Sequence, residues 1–155
     1  MAAVENLDVN ILWGMLREYV SKRGLIKKLE DGLFRRNISD HIPTKVIIDS
    51  LKTDSPPPLH MTSTEIKRFF DDFLTWKNTR EGFEFWHKEQ VIFASILYQL
   101  CPTDLALGYY VVKNLLGRNY GRHGLPQEYI GKIIMLYNIH NEQHKDNNNN
   151  RFNEI

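Results

Sequence analysis

Cysteine is nearly absent from this chain of 155 residues, which contains only Cys101. A single cysteine excludes an intramolecular disulfide and any site built from two cysteines, and it is typical of a protein in a reducing compartment. An excess of charge of one sign is also lacking, because 20 basic residues stand against 19 acidic ones. The net charge of +1 argues against a strongly basic nucleic-acid binder or an acidic DNA mimic, so electrostatic recognition would require a local patch.

Long hydrophobic runs are missing as well. No stretch approaches the roughly 20 apolar residues that a membrane-spanning helix needs. The first residues, MAAVENLDVN, show no basic region followed by an apolar stretch, so no signal peptide is predicted. With 42% apolar and 25% charged residues, the composition is that of a soluble globular domain, which we expect in the cytoplasm.

Helical periodicity is the main structural signal that is present. Apolar residues recur at spacings of three and four from Val9 to Val20, and again after Thr62 and after Thr79. Thr62 and Glu65 have the spacing of a capping box, and Thr79 is suited to cap the next helix. The sequence therefore predicts an all-α fold, a single compact domain of about six or seven helices.

Two segments refine this prediction. Residues 105–116 are apolar nearly all round, which predicts a central helix in which Gly108 permits a close crossing. The stretch IPTKVIIDSLK favours a helix opened by Pro43, but its apolar run from Val46 to Ile48 also suits a buried strand. A short strand pair near residues 44–52 therefore stays open, and it would make the fold α+β.

Two features of the sequence define the domain organisation: a proline-rich break between helical segments and a polar C-terminal end. The proline-rich stretch 53–60 predicts a stiff connection inside one helical domain, residues 1–140. The last helix is predicted from Gln127 to about Asn141. Residues 141–155 are too polar to bury much apolar surface, which predicts a flexible tail.

The aromatic turn TREGFEFWHK, residues 79–88, is the best candidate for a protein-binding surface. Tryptophan, tyrosine and arginine are the residues that most often anchor interfaces, and no catalytic pattern emerges from the sequence. We therefore predict a non-enzymatic interaction protein that uses Trp76, Glu81, Phe83 and Trp86 to bind its partner. The alternative is that both indoles are buried where two antiparallel helices meet.

A glycine-rich basic loop offers a second candidate site. Arg118, Tyr120, Arg122 and His123 lie among three glycines, so the backbone and the cations could approach a phosphate chain. The lysine and hydroxyl residue that end a P-loop are missing, and the glycine spacing does not match a dinucleotide-binding fingerprint. The loop predicts binding of an anion or of single-stranded nucleic acid, with a plain cationic connection as the alternative.

Catalytic or metal-binding residues form only weak patterns. His87, Glu89 and His60 could act as acid–base groups, but nothing in their spacing brings them together. His140 and His144 are four residues apart and could both bind zinc from one side of a helix, yet no third ligand is indicated. We therefore expect no catalytic residue, no metal and no cofactor.

A short pattern runs from residue 76 to residue 86: an aromatic residue, then Thr-x-Glu-Gly, then an aromatic pair that ends in Trp. It is formed by Trp76, Thr79, Glu81, Gly82, Phe85 and Trp86. This pattern resembles a short motif found in small accessory proteins of tailed bacteriophages. The resemblance carries no known activity and no catalytic residue. It implies an origin, that of a phage accessory protein working in a bacterial cytoplasm. Together with the predicted interaction surface, this origin suggests a factor that binds and redirects a host protein.

Overall fold

Seven helices, numbered α1 to α7 in chain order, occupy the residues that the computed structural model describes, 8–116 and 125–153, with side chains described up to residue 145. The helices are α1 (Val9–Lys22), α2 (Leu25–Leu33), α3 (Ile42–Lys52), α4 (Ser63–Lys77), α5 (Arg80–Leu100), α6 (Leu105–Leu116) and α7 (Gln127–Asn153). No strand occurs in these two ranges, which confirms the prediction of an all-α domain.

Local capping explains where several helices begin. The Asp8 carboxylate accepts a hydrogen bond from the Asn10 backbone N–H at 2.8 Å and caps α1. The capping box of α4 is complete, because Thr62 and Glu65 exchange side chain to backbone hydrogen bonds of 3.0 and 3.2 Å. The Thr79 hydroxyl accepts from the Gly82 N–H at 3.1 Å and caps α5. Each bond satisfies a backbone donor that the helix itself leaves without a partner.

The alternative prediction of a short strand pair near residues 44–52 is wrong, since this segment belongs to α3. Thr44, Ile47, Ile48 and Leu51 are buried, and their spacing of three and four residues places them on one face of a helix. Pro43 lies in the first turn, where its missing N–H costs no intrahelical hydrogen bond.

The core is centred on α5 rather than on α6. Every residue of α5 from Val91 to Leu100 is buried, and this helix packs against α4 on one side and α6 on another. In α6, Tyr109 and Leu116 remain 55% and 66% exposed, so the prediction that this helix is central is wrong. Gly108 nevertheless permits the predicted close crossing, because a Cβ atom there would lie 2.6 Å from the Tyr98 ring.

The α4–α5 hairpin joins its two helices at close range. A Cβ atom on Gly82 would lie 2.0 Å from the backbone oxygen of Trp76, so only glycine fits at this position. Behind the turn the rings of Phe73 and Phe93 stack with their centroids 3.7 Å apart. The connection between two antiparallel aromatic helices is therefore compact and tightly packed.

The last helix is longer than predicted. It continues from Gln127 to Asn153, well past the end expected near Asn141. None of the helices in the described ranges has both the length and the apolar character needed to cross a membrane.

Candidate functional site

The outer side of the α4–α5 hairpin carries an aromatic surface, formed by Phe83, Trp86, His87 and Lys77. Phe83 is 58% exposed in the first turn of α5 and stacks on the His87 ring, with the centroids 6.3 Å apart. Trp86 is half-buried, and its ring leans on Phe73 at 5.8 Å between centroids. The ammonium of Lys77 lies 4.7 Å from the centre of the Trp86 ring, a cation–π contact.

The two other residues predicted for this surface lie elsewhere. Trp76 is only 2% exposed, and its indole packs against Phe85 at 5.1 Å between centroids, so it cannot contact a partner in this structure. Glu81 is exposed and forms an ion pair with Arg36. Because Glu81 and Phe83 are two residues apart on α5, they project to nearly opposite sides of the helix. Of the four residues predicted to bind a partner, Phe83 and Trp86 thus lie together on the aromatic surface.

A cavity of about 260 Å³, here called the α2–α5 cavity, lies on the other side of α5. Its lining residues come from α2, from the end of α4 and from the first half of α5: Lys28, Asp31, Trp76, Glu81, Glu84, Phe85, Lys88 and Glu89. The lining therefore combines two aromatic rings with charged groups of both signs.

Glu89 is the unusual member of this lining. It is 3% exposed, although carboxylates are rarely buried without pairing. Arg23 supplies the pair through its Nη2 atom, 2.7 Å from Glu89 Oε1. The backbone of α5 departs from helical dihedral angles at Glu89, where the helix is kinked. Sequence reasoning suggested Glu89 as an acid–base group but did not identify Arg23 as its partner.

The structure does not assemble the predicted acid–base group. His87 and Glu89 point to opposite sides of α5, since His87 stacks on Phe83 while Glu89 lines the α2–α5 cavity. His60 is exposed on the connection before α4, and no hydrogen bond to either residue is seen in the described part of the chain. Burial, with a smaller effect from Asp104, raises the pKa of the Cys101 thiol, which disfavours a nucleophilic thiolate there.

A buried carboxylate that sequence reasoning missed as a site lies between α3 and α4. Asp72 is 6% exposed and accepts hydrogen bonds from the hydroxyls of Ser39 and Thr44. The Nδ1 atom of His41, the residue before α3, lies 3.0 Å from Asp72 Oδ1. The carboxylate thus faces the first turn of α3, where the helix dipole favours a negative charge. This arrangement holds the start of α3 against α4, and among the described residues no hydroxyl lies at Nε2 of His41 to act as a nucleophile.

The two histidines proposed as weak zinc ligands both lie on α7. The Nδ1 atom of His140 is 2.9 Å from the Tyr98 hydroxyl. Burial, helped by Tyr137 and Asp104, raises the pKa of Tyr98 to about 12, so this hydroxyl stays protonated and shares a hydrogen bond with His140 Nδ1. His144 is exposed. In the described ranges no three His, Cys, Asp or Glu side chains are grouped closely enough to hold a metal ion.

Arg118, Tyr120, Arg122 and His123 lie outside the described residues, so binding of an anion or of nucleic acid at the basic loop stays a prediction.

Comparisons with models of protein families, with curated protein sequences and with solved structures found no significant match.

Proposed function

We propose that this protein is a non-enzymatic interaction factor that binds a protein partner through the aromatic surface of its α4–α5 hairpin. The observation that carries the proposal is the exposure of Phe83, whose side chain remains 58% accessible beside the half-buried Trp86. The motif around this turn supports a phage accessory protein acting on a bacterial host protein.

The energetics of the aromatic surface suit an anchor residue. Fully burying a phenylalanine side chain contributes about 1.5–3 kcal/mol through the hydrophobic effect alone. Phe83 and His87 already stack on each other, so a partner would cover a preformed aromatic pair rather than two mobile side chains. The ammonium of Lys77 over Trp86 adds a positive charge at the edge of the same surface. An exposed aromatic centre with a charged edge is the usual composition of a protein interface.

The hairpin also holds this surface in a fixed orientation. The Thr79 cap, the close approach at Gly82 and the stacked Phe73 and Phe93 rings restrict the movement of α5 relative to α4. A surface that is already ordered loses little conformational entropy when it binds. The surface therefore meets both requirements of an interface hot spot, exposed aromatic area and preorganisation.

Affinity capture from a bacterial lysate tests the proposal, with the wild type compared with a Phe83→Ala variant. Tyr109→Ala is the matched control, because Tyr109 is an aromatic residue of similar exposure, 55%, on α6. We expect a specific partner that Phe83→Ala loses and Tyr109→Ala retains, with a loss of affinity of about 2 kcal/mol or more in the purified complex. The proposal fails if no partner is captured, or if both folded variants capture it as the wild type does.

A further inference from the structure

A groove of about 290 Å³, here called the α4–α6 groove, lies between the first turns of α4 and the start of α6. Both helices pack against α5, but they make little contact with each other, so space remains between them over the end of α5. Four apolar side chains form most of its lining: Ile66, Phe70, Leu97 and Leu107. The groove is therefore a mainly apolar depression that three helices build together.

Several of the lining side chains are open to a molecule that enters the groove. Phe70, Leu107 and Cys101 pack against the core but are only partly buried. Covering such partly exposed apolar groups with a carbon chain removes them from water, which is favourable through the hydrophobic effect. The groove thus offers accessible apolar surface rather than a sealed cavity.

The edge of the groove on the α4 side carries a positive charge. Ser63 and Lys67 are exposed there, and because they are four residues apart they are neighbours on one side of the helix. Neither side chain forms a hydrogen bond or an ion pair with another residue of the described ranges. The Lys67 ammonium and the Ser63 hydroxyl are therefore free to bind an anionic group.

The other polar groups of the lining do not compete for this role. Asp104 uses its carboxylate to cap the start of α6, where Oδ1 accepts a hydrogen bond from the Leu107 N–H at 3.0 Å. Burial, with a smaller effect from Asp104, raises the pKa of the Cys101 thiol, so this group adds no negative charge to the groove near neutral pH. The cation of Lys67 is the charge that internal contacts leave unpaired.

We propose that the α4–α6 groove binds a free medium-chain fatty acid. The carboxylate pairs with Lys67 and accepts a hydrogen bond from Ser63, while the carbon chain lies along Phe70 and Leu107 toward Cys101. A charged head at one edge and an apolar chain in the groove match the two parts of the lining. This site lies apart from the aromatic surface, so it does not depend on the protein partner proposed above.

The volume of the groove sets the length of the chain. A space of about 290 Å³ has room for about ten groups of the size of a water molecule. Octanoate has about this number of heavy atoms, so it is the probe that fills the groove. A nucleotide is larger and carries too little apolar surface for this lining.

The only cysteine of the chain provides a direct test, because Cys101 lines the groove. A bound chain covers the thiol, so octanoate should slow the alkylation of Cys101 by iodoacetamide saturably, with half of the effect reached below about 10 mM. Hexanoate should require an about tenfold higher concentration, since each buried methylene group tightens binding by about fourfold. Alkylation of N-acetylcysteine under the same conditions shows whether octanoate affects the reagent itself.

Variants of α4 test the role of Lys67 in binding the carboxylate. Lys67→Glu reverses the charge at the edge, and Arg68→Glu is the matched control, because Arg68 is the next residue, equally exposed and outside the lining. We expect Lys67→Glu to weaken octanoate binding by about tenfold and Arg68→Glu by less than about threefold. Protection by 1-octanol, which has no charge, should be the same in both variants as in the wild type.

Three results would overturn the proposal. Octanoate that leaves the alkylation rate of Cys101 unchanged would show that the groove does not bind this class of ligand. Equal responses of octanoate and octanol to Lys67→Glu would show an apolar groove without preference for an acid. Equal effects of Lys67→Glu and Arg68→Glu would show that Lys67 attracts the carboxylate only through the general charge of α4.

Discussion

The indole of Trp76 rests directly on the backbone of Gly32, so that a Cβ atom at residue 32 would lie 2.1 Å from Cε2 of the ring. No real Cβ atom tolerates such a distance, so α2 can approach α4 this closely only with glycine at residue 32. The contact also fixes one wall of the α2–α5 cavity, since Trp76 lines it.

Gly32→Ala is therefore expected to destabilise the protein, although alanine favours a helix by about 1 kcal/mol over glycine. Inserting a methyl group into a filled core typically costs about 1–3 kcal/mol, and here it displaces a large ring. Gly131→Ala is the matched control, because a Cβ atom on this residue of α7 meets nothing within 4 Å. Urea unfolding should show a lower free energy of unfolding for Gly32→Ala and an unchanged or higher one for Gly131→Ala. Equal stability of the two variants would contradict the contact.

The features of the fold that could be predicted from the sequence are those set by neighbours along the chain. The capping box of Thr62 and Glu65 and the Thr79 cap each involve residues three apart, so their pattern is visible in the sequence.

The buried polar contacts could not be predicted, because they join residues that are far apart in the sequence. Arg23 and Glu89 are 66 residues apart, and His41 and Asp72 are 31 apart. Such pairs depend on how whole helices pack, and no spacing rule indicates them. The burial of Trp76 illustrates the same limit, since the turn motif alone allowed the indole to be either exposed or buried.

Asp72→Asn tests whether the buried carboxylate holds α3 against α4. An amide has one acceptor oxygen, and its NH₂ group would face hydroxyl or imidazole donors that now bond to the carboxylate. We expect a loss of about 1.5–3 kcal/mol in the free energy of unfolding, the usual value for a hydrogen bond to a charged group. Asp71→Asn is the control, since Asp71 is the exposed neighbour and should change stability by less than about 0.5 kcal/mol. An equally small effect for Asp72→Asn would show that the cluster does not stabilise the fold.

Binding of single-stranded nucleic acid by the basic loop is a separate prediction. Arginines flanking a tyrosine can pair with phosphates while the ring stacks on a base. Fluorescence titration with single-stranded oligonucleotides at low and moderate salt should show binding that weakens with salt. Replacing both Arg118 and Arg122 with alanine should reduce affinity for all sequences and lower the salt slope by roughly 1 for each lost phosphate contact. The control removes two adjacent cations of α4, Lys67 and Arg68. Absence of binding at low salt, or equal effects of both double variants, would exclude the loop as the binding site.

Stability is expected to fall in mildly acidic solution because of His140. Burial lowers the pKa of His140 from its usual 6.5, so the folded state takes up this proton at a lower pH than the unfolded state. Well above pH 6.5 the imidazole is neutral in both states and makes no pH-dependent contribution. As the pH falls through 6.5, the unfolded state is protonated first, and the free energy of unfolding decreases until the folded state is protonated too.

The variant His140→Gln separates the contribution of His140 to the pH dependence of stability from that of the other five histidines. The glutamine in His140→Gln does not titrate. Its amide oxygen can accept a hydrogen bond from the Tyr98 hydroxyl. That hydroxyl remains protonated at these pH values because burial raises the Tyr98 pKa to about 12. Urea unfolding midpoints, measured from about pH 7.5 to about pH 5, should fall less steeply for His140→Gln than for the wild type. His144→Gln, an exposed change one turn further along α7, should keep the wild-type slope. Parallel pH profiles for the wild type and His140→Gln would show that His140 does not contribute to the acid sensitivity of the fold.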